Sequence, residues 1–105
     1  MAARHGMIVE ITATAEADLE AIGDYIARDN PLRAATFIRE LYQCCMDLAD
    51  MPLAWPIVPR YEHDGIRRRV HGRYLIFYRL GPERITVLHV VHGAMDIEAI
   101  LFPEG

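Results

Sequence analysis

The chain has 105 residues, 52% hydrophobic and 25% charged, the size and make-up of one globular domain rather than a disordered segment. Its formal net charge of −4 excludes a protein that coats nucleic acid non-specifically. No apolar run nears the roughly 20 residues a membrane-spanning helix needs. The start, MAARHG, lacks the apolar core of a signal peptide, so a cytoplasmic protein is expected.

Residues 1–6 read as a flexible extension ahead of a single domain, 7–105. Residues 7–12, MIVEIT, suit a short strand. Thr12 or Thr14 then caps a helix, with Glu16, Asp18 and Glu20 near the positive end of its dipole. Ala15, Leu19, Ile22 and Ile26 recur at helical spacing and form one apolar stripe. Asn30-Pro31 ends this helix and starts a second, with Asn30 as cap and Pro31 in the first helical position. The second helix turns Ala34, Phe37, Ile38, Leu41, Cys45 and Leu48 inward, and Asp50-Met51-Pro52 stops it. Two amphipathic helices with almost no loop between them make a helical hairpin. Cys44 and Cys45 are adjacent and point in different directions on a helix, so they read as two half-buried thiols and not as a disulfide framework.

The segment Pro52–Gly65, with Pro52, Pro56 and Pro59 and no period, reads as an extended connector pinned by Trp55 and Tyr61. From Ile66 to Asp96, three apolar, β-branched or aromatic runs are broken by Gly72-Arg73 and by Gly81-Pro82-Glu83, the pattern of an antiparallel meander. Alternation places Ile66, Arg68 and Val70 on one face and Arg67 and Arg69 on the other, as in an edge strand that arginines protect from pairing. Tyr74–Arg79 carries large side chains on both faces, so it should be central. Ile85, Val87, His89 and Val91 are expected on one face of the last strand, and Thr86, Leu88, Val90 and His92 on the other. Asp96–Leu101 suits a short helical turn or a terminal strand. The whole is an α+β fold of order β-α-α-β-β-β, the hairpin packed on an antiparallel sheet that the first strand joins.

Residue types alone specify no active site. His89 and His92 fall on opposite strand faces, His63 and His71 lack ligands at the right spacing, and no metal or cofactor is expected. There is no Gly-rich phosphate loop, GxSxG elbow or CxxC pair. Asp18, Asp24 and Asp29 read as ordinary surface acids. All 11 basic side chains are Arg, and six of them lie between Ile66 and Asp96. Arginine favours planar contacts with carboxylate or phosphate, although an Arg-rich codon preference leaves the same mark.

Four stretches together resemble a known family: T-x-x-A-E-A-D-L-x-x-I-x-x-Y-I at Thr12–Ile26, N-P-x-x-A at Asn30, G-R-Y-L-I-F-Y-R at Gly72–Arg79, and V-L-H-V-V-H-G-A-M-D at Val87–Asp96. They resemble the RelE/ParE toxin superfamily, over essentially residues 7–102. The resemblance implies a toxin of a type II toxin–antitoxin module, neutralised by an antitoxin that wraps it. In RelE-like members, which cut messages on the ribosome, it implies lysines before the second strand and charged or phenolic residues at three later positions. Here there is no lysine, and those positions hold Leu75, Met95 and Leu101. Other ribonuclease members pair Glu with a C-terminal His-Tyr, where this chain reads Leu101-Phe102-Pro103. The ParE-like branch is closer, and it implies inhibition of DNA gyrase by binding, without catalysis, and a ParD-like antitoxin. A RelE-like mRNA interferase is the alternative. Under this reading Arg67, Arg69, Arg73 and Arg79 are candidates for target or partner contacts. Tyr25, Phe37 and Tyr42 are candidates for antitoxin contacts along the hairpin groove, with the core as the other place open to them.

Overall fold

The computed structural model describes residues 7–93 and 100–101. The expected extension 1–6, Met95, and most of the expected element at Asp96–Leu101 lie outside the described residues. Seven elements follow in order: β1 (Ile8–Ile11), α1 (Ala13–Ala27), α2 (Pro31–Asp47), a 3-10 turn (Glu62–Asp64), β2 (Ile66–His71), β3 (Tyr74–Leu80) and β4 (Arg84–His92). They form two layers, the helical hairpin on a four-stranded sheet of order β1-β4-β3-β2. The meander β2-β3-β4 is antiparallel, but β1 pairs parallel to β4, so the sheet is mixed. Passage from β1 into β4 through the whole chain permits that parallel pairing.

Local chemistry sets the boundaries. Thr12 caps α1, its hydroxyl oxygen accepting from the Ala15 N–H at 3.1 Å. Asn30 caps α2 through the Arg33 N–H at 3.0 Å, with Pro31 following it. Gly72 takes φ 61° in the two-residue turn between β2 and β3, a left-handed conformation that costs glycine little.

Two apolar clusters lie on opposite sides of the sheet. Under the helices, Leu19, Leu41, Cys45 and Leu48 meet Ile76, Tyr78, Ile85, Val87 and Val90. On the other side, Val58, Ile66, Leu75, Phe77 and Val91 are covered by Tyr61, Leu88, Ile100 and Leu101. The central strand β3 is therefore buried on both faces, as its sequence implies. Both thiols are more deeply buried than half: Cys44 is 6% exposed and Cys45 fully enclosed.

The alternation expected for β4 fails at one point. Tyr78 pairs with Val87 but Phe77 pairs with His89, so β4 carries an extra residue at Leu88. Beyond that bulge the phase inverts. Val90 joins Ile85 and Val87 under the helices, Val91 joins Leu88 on the far side, and His92 meets the ring of Tyr74.

Asp18 is likewise no ordinary surface acid. The short β1 ends opposite Val87, which leaves the outer edge of β4 without a strand beyond it. Asp18 Oδ2 supplies the missing acceptor, taking the Val90 N–H at 2.9 Å and lying 3.1 Å from His89 Nδ1. Replacing Asp18 by Ala orphans that N–H, and urea unfolding should show a loss of about 1–3 kcal/mol. Asn, which keeps an acceptor oxygen, should lose visibly less.

Candidate functional site

The four arginines named from the sequence do not form one surface. In the register of β2 against β3, Arg67, Arg69 and His71 sit opposite Tyr78, Ile76 and Tyr74, on the helix side of the sheet. There they are engaged by the fold itself. Arg69 Nη1 donates to the Cys44 carbonyl at 2.9 Å, and its guanidinium stacks 4.6 Å from the Trp55 ring centre. Cys44 belongs to the last turn of α2, which holds no basic residue of its own. A cation from β2 thus meets the negative end of the helix dipole. Arg67 Nη1 donates to the Trp55 carbonyl at 2.6 Å, and the Tyr78 hydroxyl donates to the Pro52 carbonyl at 2.7 Å. These bonds lash the connector to the sheet, Trp55 and Tyr61 pinning it from either side as expected. The connector covers the edge of β2 as well, Val58 N–H reaching the Ile66 carbonyl and Arg68 N–H the Pro56 carbonyl.

Arg73 and Arg79 remain exposed. Arg79 Nε donates to the Asp64 carbonyl at 2.9 Å, which holds its guanidinium beside the 3-10 turn. Arg73 occupies the β2–β3 turn, at the opposite end of β3. The set therefore splits into two arginines that build the fold and two that face solvent at separate places.

His71 contacts partners that sequence spacing does not reveal. Its Nδ1 lies 3.5 Å from Cys44 Sγ and its Nε2 3.2 Å from Glu40 Oε1. Thiol, imidazole and carboxylate in a row are the parts of a nucleophile and its base. Burial, however, pushes the Cys44 thiol up, and Cys45 up to about 12, so neither supplies a thiolate near neutrality. Hydrogen bonding from Arg33 and then from His71 holds the Glu40 carboxyl below its ordinary value. The row acts as a clasp between α2 and β2. Among the described residues no group of His, Cys, Asp and Glu is arranged to hold a metal ion.

The aromatics named as antitoxin contacts also separate. Phe37 is only 9% exposed and packs against His71 and Tyr74, so it belongs to the core and not to the surface. Its position on the inward stripe of α2 explains this. Tyr25 is 64% exposed. Tyr42 is half-buried at an open groove between the helices and donates its hydroxyl to Glu16 Oε1. That hydrogen bond, with burial second, pushes the Tyr42 phenol up to about 12.

The groove brings Glu16, Glu20 and Asp24 together along one face of α1 at helical spacings of four, over a floor that includes Ala17 and Ile38. At Gly23 the helices are close: a Cβ there would lie 3.2 Å from Ile38 Cγ1. The chemistry available is an apolar trough with an acidic rail, suited to a cationic amphipathic helix. The four-residue spacing of the acids is visible in the sequence. Their shared groove is not.

With this geometry in place, the chain can be compared with known proteins. The family model described as ParE toxin of type II toxin–antitoxin system, parDE, matches residues 9–97. The chain belongs to this family. It is therefore a type II toxin of the RelE/ParE superfamily. The fold recurs in the chromosomal ParDE toxin–antitoxin system from P. aeruginosa, with a TM-score of 0.70 and 22% identity over 84% of this chain and 97% of that one. It recurs again in the toxin–antitoxin complex RelBE2 from Mycobacterium tuberculosis, with a TM-score of 0.62 and 23% identity over 83% and 98% of the two chains. Among curated proteins none matches. No helix among the described residues is long and apolar enough to cross a membrane.

Two outcomes check the roles given to these side chains. Arg69→Met removes the bond to the end of α2 and should lower stability by about 1–3 kcal/mol in denaturant unfolding, with Arg69→Lys in between. In a phenolate titration Tyr42 should ionise near pH 12, and Glu16→Ala should return it toward its ordinary value of 10.0. The raised folded-state value means that the stabilisation from this bond is present below about pH 10 and is lost as pH rises through 12.

Proposed function

We infer that the chain is a toxin that acts by binding rather than by catalysis, with DNA gyrase as its target and a ParD-like antitoxin as the partner that neutralises it. Membership in a family described by its parDE system supports the ParD-like partner, and gyrase is the target that the resemblance to the ParE-like branch implies. The observation that supports binding over cleavage is the apolar filling of the far side of the sheet. Cleavage of RNA needs a base for the ribose 2′-OH, an acid for the leaving oxygen and cations for the phosphate. Leu75, at a position where the ribonuclease branch implies charge, is instead sealed among Val58, Phe77 and Val91. Leu101, at another, is half-buried against the same cluster. Neither side chain can donate, accept or stabilise charge.

The antitoxin reading rests on the groove. A helix with basic residues spaced at three or four would place them against Glu16, Glu20 and Asp24, while its apolar side covers Ala17 and Ile38. The half-buried ring of Tyr42, its hydroxyl donating to Glu16, lines the same trough.

The purified toxin should arrest supercoiling by gyrase and leave ribosome-bound message intact; message cleavage with unimpaired supercoiling would replace this reading with the ribonuclease one. For the groove, Glu20→Lys with Asp24→Lys should weaken binding of the ParD-like antitoxin about tenfold or more in low-salt calorimetry. The wild-type affinity should fall as salt is raised. Equal affinities for the two proteins would remove the groove from the antitoxin interface.

A further inference from the structure

The connector between α2 and β2 is held unevenly. Its first half is fastened by side chains: Tyr78 reaches the Pro52 carbonyl, Arg67 reaches the Trp55 carbonyl, and Arg69 stacks on the Trp55 ring. Its second half lies along the outer edge of β2 through main-chain bonds. The Val58 N–H donates to the Ile66 carbonyl at 2.9 Å and the Arg68 N–H to the Pro56 carbonyl at 3.1 Å, with Ile57 bridged to Arg67. Val58 and Tyr61 then cover Ile66 and Phe77 on the far side of the sheet, and Arg79 holds the Asp64 carbonyl.

The chain turns within that second half, and the turn carries an arginine where glycine is expected. The Tyr61 N–H donates to the Val58 carbonyl at 3.1 Å, with Pro59 second in the turn and Arg60 third, at φ 77°. Proline followed by a positive φ marks a type II turn, whose third residue is ordinarily Gly or Asn. A Cβ in the left-handed region crowds the neighbouring carbonyl. Gly65, at φ 66°, meets the same demand with the residue suited to it. Among the described residues, Arg60 is the one residue other than glycine with a positive φ. Hydrogen bonds from the N–H of Glu62 and then from that of Arg60 hold the Glu62 carboxyl below its ordinary value. The carboxylate thus helps to keep the turn in place.

We propose that residues 57–64 form a strap that opens from β2 as one unit while the sheet stays folded, and that the strained backbone of Arg60 sets how often it opens. Strain of this kind persists only where surrounding contacts over-determine it. The closed strap carries that strain and the open one does not, so the strain works against the bonds at Val58 and Arg68. The sheet itself loses little when they break. Main-chain groups alternate in direction along a strand, so Arg67 and Arg69 bond to β3 while Ile66 and Arg68 face the strap. Opening uncovers the edge of β2 and the apolar surface of Ile66 and Phe77. It does not depend on which target or antitoxin the toxin binds.

Native-state amide hydrogen exchange at low denaturant concentration supplies the test, on the wild-type chain and on variants with a folded circular-dichroism spectrum. The N–H groups of Val58 and Arg68 are protected by the strap, and those of Arg67 and Arg69 by β3 on the same strand. In wild type the first pair should be at least about tenfold less protected than the second, by an opening nearly independent of denaturant. Arg60→Gly and Arg60→Asn, which suit a positive φ, should raise the protection of Val58 and Arg68 about threefold or more. Arg60→Ala keeps the crowded Cβ and should not raise it. Equal protection of all four amides in wild type overturns the strap. Unchanged protection in both the Gly and the Asn variants overturns the role of Arg60, and so does a rise in the Ala variant as large as in those two.

Discussion

One inserted residue sets the facing of half of β4, and one carboxylate closes the ladder beside it. Side chains on a strand alternate strictly, so a single inserted residue inverts every side chain beyond it. In this chain the insertion at Leu88 turns Val90 toward the helices and Val91 away from them. Such a bulge breaks the ladder where the sheet is already unprotected, because β1 is only four residues long and ends opposite Val87. Asp18 closes the gap from the helix layer by accepting the N–H of Val90. It therefore does the work of a longer first strand, and the same contact sets α1 over β4. Both apolar clusters draw a residue from β4 beyond the bulge, Val90 in one and Val91 in the other.

The opposite edge of the sheet meets a related difficulty by different means. The helix-facing side of β2 carries Arg67, Arg69 and His71, which a two-layer fold would ordinarily fill with apolar residues. Burying a guanidinium is tolerable only where fixed acceptors replace water. The end of α2 and the turns of the connector offer such acceptors, because their carbonyls lack partners within a helix or ladder. Arg69 and Arg67 take two of them, at Cys44 and Trp55. The match is incomplete, since Arg69 Nε is buried without a partner, and stacking on Trp55 offsets part of that cost. A cluster of arginines on a β-strand is thus a fastening here before it is a binding surface.

The layout of the fold was largely legible from periodicity and caps: Thr12, Asn30-Pro31 and the Gly72-Arg73 turn each act through a local rule that needs no tertiary information. Doubly apolar β3 announced a strand buried on both faces. What escaped the sequence depends on contacts distant along the chain. No local signal tells that Asp18 meets Val90, that His71 meets Glu40 and Cys44, or that Leu88 is an inserted residue within an otherwise alternating run. The parallel pairing of β1 was hidden for the same reason. Among the candidate contacts, Phe37 lay on the stripe that the helical period assigned to the core, and its burial follows that period. The acidic rail was readable as spacing, but the groove that unites it needed the close approach of Gly23 and Ile38.

The hairpin presents an acidic groove and, beside it, the exposed side chains of Tyr25 and Leu32. Glu16, Glu20 and Asp24 line the groove, and Asp24 is followed in the chain by Tyr25, which points elsewhere because successive helical residues differ by about 100° in direction. The groove therefore ends beside Tyr25 and Arg28. A basic helix lying along the rail as far as Asp24 would stand within one turn of Tyr25 and Arg28. It need not contact those residues to exclude a larger protein from them, because the two ligands would compete for the same space beside the hairpin. It would also cancel part of the acidic field next to Arg28, so charge and volume act in opposite directions there. Volume decides the outcome, since screening at about 8 Å weakens the exposed charges while overlap of two folded chains has no comparable remedy. On that account a helix seated in the groove would crowd Tyr25 and Arg28 without touching them.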